Sequence, residues 1–172
     1  MSRGARFFWA LFAGTMALYL VMVLWSLPHL QRLAGGLVPF DLRPMGYGPQ
    51  EARALVAALG AEGADFYLNT QLWLDTAYPA LMAAVLVLAY RRLTRGWMVW
   101  GAGSIAVLAA GFDYLENHGV AVMLRAGPDA LSDAMAVSAS GWTLWKSAAS
   151  SLAFVVLLVL LLRTGWVWMR RN

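Results

Sequence analysis

Asp75, Asp113, Glu116, Asn117 and Lys146 fall inside stretches of the chain that are otherwise apolar. Asp113, Glu116 and Asn117 are spaced i, i+3 and i+4, so on a helix they share one face. Trp142, Lys146 and Ser150 follow one another at i+4 steps and share another. A carboxyl held in apolar surroundings can move a proton or recognise a cation, and an amide or indole beside it can orient what is bound. Asp113 and Glu116 are therefore the candidate catalytic acids. Asp75, Asn117, Trp142 and Lys146 are the candidate ligand contacts. Three acids face one lysine, so at least one acid must be protonated, hydrated, or paired with another cation such as Arg43 or a ligand.

Other chemistries compete for the same residues. Lys146 neutralising a carboxylate and locking two helices together is the purely structural reading, because pairing is how a membrane interior tolerates charge. Lys146 and Ser150 have the spacing of a Ser–Lys nucleophile pair, although serines on a small-residue face usually serve helix packing. Lys146 could also carry a retinal-like chromophore as a Schiff base, but four helices enclose little room. A metal site from Asp113, Glu116 and His118 is disfavoured, since His118 points about 100° away from Asn117 on a 3.6-residue turn. The Glu-x-x-His pairs of a di-iron bundle are missing. No metal or cofactor is expected. His29 and His118 read as interfacial polar residues.

The elements that must position these residues are membrane helices. The 172-residue chain is 61% hydrophobic and 13% charged, with a mean hydropathy of +0.62; a soluble domain is about a quarter charged. Spans are expected over residues 7–29, 66–90, 97–124 and 137–162, each close to the roughly 20 apolar residues that cross a bilayer. Irregular chain cannot face lipid, so these must be helices. The run after MSRGAR is long for a signal-peptide core and reads as a retained span. With no cysteine, disulfides and thiolate chemistry are excluded. The net charge of +4 comes from arginines at span ends, with no basic stripe for nucleic acid.

Those arginines set the orientation. Arg3, Arg6, Arg91, Arg92, Arg95, Arg163, Arg170 and Arg171 fall on one side without an acid. Arg32, Arg43, Arg53 and Arg125 fall on the other with Asp41, Glu51, Glu62, Asp65, Asp129 and Asp133. The positive-inside rule then predicts both termini in the cytoplasm, with a bacterial inner membrane as the expected location. The first outer connection, Leu30–Asp65, is long for a small bundle and should be internally structured. Pro49 and Gly60 bracket a helix whose Ala52, Leu55, Val56 and Leu59 share a side, fit to lie on the membrane or cap the bundle. Pro128 opens a further turn in the second outer loop. Within the second span, Pro79 removes the hydrogen bond that the Asp75 carbonyl would accept, predicting an unpaired backbone there.

The layout resembles the EXPERA (emopamil-binding-protein-like) group of four-span membrane proteins. The likeness rests on the order of spans, on Phe40-Asp41-Leu42-Arg43, on Gln71–Pro79, on the acids at 113 and 116, and on Trp142. It implies an amphipathic or sterol-like ligand held between helices, with Asp41 and Arg43 joining the candidate ligand contacts. The second span lacks the His-with-acid arrangement of the isomerases, and Lys146 has no counterpart.

The expected fold is all-α, one domain over residues 1–172: a four-helix transmembrane bundle with both termini inside and a structured outer loop. The expected function is binding of a lipid-like or cationic amphipathic molecule in an acid-lined pocket. The alternatives are an accessory subunit of a membrane complex and a proton- or ion-coupled carrier. The chain would act as a homo-oligomer or within a larger membrane assembly.

Overall fold

In the computed structural model, which describes residues 1–170, four long helices pack as a bundle. They are α1 (Arg3–Leu33), α2 (Pro49–Leu93), α3 (Trp97–Ala130) and α4 (Asp133–Met169), each long and apolar enough to cross a membrane. The described residues contain no strand. Arg171, counted above with the arginine-rich side, lies outside them. Each expected span lies within one helix, and every helix runs several residues further. Successive helices alternate in direction. Arg92 at the end of α2 reaches the Gly4 carbonyl at 2.7 Å and lies over the Phe8 ring at 4.3 Å. The seven described arginines of the acid-free set thus share one end, here the arginine end; the 34–48 connection marks the loop end.

The loop end is folded. Pro49 starts α2, and Glu51 reaches back to the Gly48 amide at 2.7 Å, half of a capping box. The helix breaks at Gly60, whose φ of 58° suits glycine. Ala52, Leu55, Val56 and Leu59 are all buried, so segment 49–59 caps the bundle with the face its spacing predicted. Arg53 fastens it, donating to the Leu131 carbonyl at 3.0 Å and pairing with Asp133. Near the end of α3 the backbone breaks at Gly127, just before Pro128.

Two apolar cores form. One gathers Leu30, Phe40, Leu55, Tyr67 and Met123 at the loop end. The other gathers Leu86, Tyr90, Ala102, Ala106 and Leu160 toward the arginine end. Asp75, Asp113, Glu116 and Lys146 form a polar layer between them.

Candidate functional site

Pro79 organises the α2 side of this layer. It cannot donate to the Asp75 carbonyl, and the Asn117 side-chain amide of α3 donates to that carbonyl instead, at 3.2 Å. The predicted gap in the helix ladder is therefore filled from the neighbouring helix, which ties α2 to α3 where a helix interior has nothing to offer.

Between α3 and α4 the lysine pairs as its position requires. Lys146 Nζ lies 3.1 Å from Asp113 Oδ1 and 2.5 Å from Glu116 Oε2. Thr143 donates to the other Glu116 oxygen at 2.5 Å. Asp113, Glu116 and Asn117 are all buried, as one shared face demands, whereas His118 is exposed. Small residues permit the close approach: a Cβ on Gly119 would stand 2.9 Å from Ala139 Cβ.

Asp75 is the acid without a cation. Its side chain is buried and Oδ2 has no hydrogen-bond partner, yet it lies within electrostatic reach of Asp41, Asp113, Glu116 and Lys146. Asp41, placed among the contacts by resemblance alone, is drawn into the bundle by a 3-10 turn at Phe40–Leu42. It accepts from the Tyr67 hydroxyl and from Gln71 at 3.4 Å; Gln71 in turn accepts from Ser26 of α1 at 2.7 Å. A column of polar residues thus leads from Asp41 to Gln71, with Asp75 four residues further along α2 and within electrostatic reach of Asp41 and of the Lys146 layer. Both Ser26 and Gln71 lie in π-helical turns, Met22–Ser26 and Tyr67–Gln71, widenings that often mark functional positions.

Arg43 does not join this column. It donates to the Val38 carbonyl at 2.9 Å and lies 3.7 Å from Glu51. Trp142 is half-buried and stacks on Phe112, ring centroids 6.1 Å apart, at the seam of α3 and α4. Tyr47 is a residue that spacing could not nominate. Its backbone amide donates to the Ser140 hydroxyl at 2.9 Å, and its buried hydroxyl lies near Thr143 and Glu116 without a hydrogen bond of standard geometry. Burial first, and the Glu116 carboxylate second, push that phenol above its ordinary value.

A cavity of about 180 Å³ opens directly below Asp113 and Lys146, toward the arginine end. Pro79 and Met82 of α2, Ala109 of α3 and Ser150 of α4 line it, with half-buried Tyr78 and exposed Phe154 at its rim. Its walls are mostly apolar, with the Asp113–Lys146 pair at one end and the Ser150 hydroxyl among the lining groups. Among the described residues no group of three His, Asp or Glu is placed to hold a metal ion. Comparison with models of known families, with curated proteins and with solved structures gives no match.

Proposed function

We propose that this chain is an integral membrane protein that binds the polar end of a lipid-like or cationic amphipathic molecule between α2, α3 and α4. The observation that carries the reading is the cavity that ends on the Asp113–Lys146 pair. Asp113 and Glu116 pair with the one ammonium, and Asp75 and Asp41 lie within its electrostatic reach, so carboxyls outnumber the cation and the site favours a cationic or proton-donating head group. Asp113 or Glu116 would exchange a proton with the ligand if the site is catalytic, and Asn117 would hold the backbone around Asp75. The volume is below the roughly 300–1,000 Å³ of drug-sized pockets. One head group or one chain fits inside, and the rest of the molecule would extend past Tyr78 and Phe154 into lipid.

The reading includes both termini in the cytoplasm of a bacterial inner membrane, supported by the acid-free set of arginines. Reporter fusions at Gly60 and Asn172 should give opposite signals; the same signal from both ends the topology. The order of one span, a structured connection and three further spans supports the EXPERA-like part of the reading. A second reading, an accessory subunit of a membrane complex, is favoured by one observation: Lys146, Thr143 and Asn117 each tie one helix to another.

Native mass spectrometry with an alkyltrimethylammonium probe separates the two. Under ligand binding, Asp113→Asn folds normally and loses the probe. An Asp113→Asn protein that binds as wild type does, or a wild type that binds none, favours the scaffold.

A further inference from the structure

A second groove lies at the arginine end, on the outer face of the α2–α3 hairpin and away from the acid layer. Its volume is about 860 Å³, and Val87 of α2 and Trp100 and Gly103 of α3 form its apolar walls. Arg91, Arg95 and Gly96 close its end. No acid lines it.

The three arginines of this hairpin differ. Arg92 is engaged by the Leu88 and Gly4 carbonyls and by the Phe8 ring. Arg91 and Arg95 are exposed and make no ion pair or hydrogen bond among the described residues. Beside them, α3 begins at Trp97 after Gly96, with no side chain capping its first turn and no acid within it. A helix start left this way presents free amides and the positive end of the helix dipole. Trp97 and Trp100 are each 80% exposed, as aromatic residues are where a span leaves the bilayer.

We infer that this groove binds an anionic phospholipid. The phosphate sits between the Arg91 and Arg95 guanidinia and the first amides of α3, and an acyl chain lies along Val87 and Gly103. Free phosphate would use only the charged end and leave the apolar walls bare, so the occupant is a lipid. Basic pockets between spans recognise anionic head groups on the same grounds.

The test uses the full chain in detergent, with phosphatidylglycerol and phosphatidylcholine of matched chains titrated under native mass spectrometry. Wild type should prefer phosphatidylglycerol. Each basic residue near the head group contributes about fivefold, so Arg91→Gln with Arg95→Gln should weaken that binding roughly 25-fold and abolish the preference. Arg3→Gln with Arg6→Gln removes equal charge from the same end outside the groove and should keep it. Gly103→Phe, which fills the groove and retains both arginines, should weaken both lipids. Equal binding of the two lipids by wild type overturns the proposal. So does a preference that survives in the Arg91/Arg95 variant or that is lost equally in the Arg3/Arg6 variant, and so does a Gly103→Phe protein that binds both lipids as tightly as wild type. Because no acid of the polar layer takes part, failure here leaves the proposed ligand site standing, and the reverse.

Discussion

Lys146→Met removes the one ammonium of the polar layer while keeping the length of the side chain. In the native bundle Nζ is 3.1 Å from Asp113 and 2.5 Å from Glu116, whose side chains are 10% and 3% exposed. The substitution leaves two buried carboxylates facing each other without their cation. Removing one partner of a buried pair costs about 3–5 kcal/mol, mostly as the penalty of the ion left behind. The same physics predicts a rescue. Lys146→Met combined with Asp113→Asn and Glu116→Gln removes all three ions, and the new amide oxygen at position 116 can still accept from Thr143. Replacing a complete buried ion group with well-packed hydrophobic side chains of similar volume is often neutral; the amides leave no ion unpaired either, and only their weaker amide desolvation remains. The triple variant should therefore return to within roughly 2 kcal/mol of wild type, more stable than the single variant it contains. Unfolding free energies from dodecyl sulfate titration in mild detergent, followed by circular dichroism, measure both. A Lys146→Met protein within about 1 kcal/mol of wild type, the size of an ordinary substitution, refutes the argument. So does a triple variant less stable than the single.

Three further predictions address other parts of the bundle. Asn117→Leu should cost about 1–3 kcal/mol, because it leaves the Asp75 carbonyl without a donor; in a Pro79→Ala background, where the helix supplies that donor, the cost should shrink to a fraction, and a double-mutant cycle with no coupling would sink the account. Gly119→Ala should destabilise by about 1–3 kcal/mol through the clash with Ala139, whereas Gly111→Ala on the same helix, with nothing within 4 Å of the new Cβ, should be neutral or stabilising by thermal unfolding. Tyr47, outside the spans, has its phenol held above the ordinary value by burial and then by Glu116. The folded state keeps that proton where the unfolded chain gives it up, so this stabilisation is complete below about pH 10 and lost as pH rises beyond. Wild type should lose stability above about pH 10 more steeply than Tyr47→Phe; parallel pH curves would show the phenol to be no harder to deprotonate folded than unfolded.

The four helices were legible because lipid allows so few alternatives: apolar runs of this length must be helical, and the bounds erred only by stopping short. The pairing of Lys146 was legible for the same reason, since an ammonium inside so apolar a run demands a carboxylate. What periodicity could not give is which faces meet. It assigned Asp113, Glu116 and Asn117 to one side of α3, yet nothing in the spacing said that Asn117 would serve the carbonyl that Pro79 leaves bare, although both halves of that contact were visible separately. Tyr67, Gln71, Asp75 and Pro79 stand at successive i+4 steps, and this was the signal that could have found the column. A regular helix turns such a row by about 40° at each step. The wider π turn at Tyr67–Gln71 takes back part of that drift, so Tyr67 and Gln71 stay above Asp75 and reach Asp41 together. A local irregularity with no sequence signature thereby connects the loop to the middle of the bundle. The column also accounts for where Asp41 goes: a carboxylate beside an apolar cap would have turned to Arg43, but Arg43 is held by Val38 and Glu51, and the tyrosine and glutamine draw the acid inward. The column thus sets Asp41, Tyr67 and Gln71 between the loop end and the unpartnered Asp75, while the apolar core around Tyr90 and Leu160 fills the other end of the bundle.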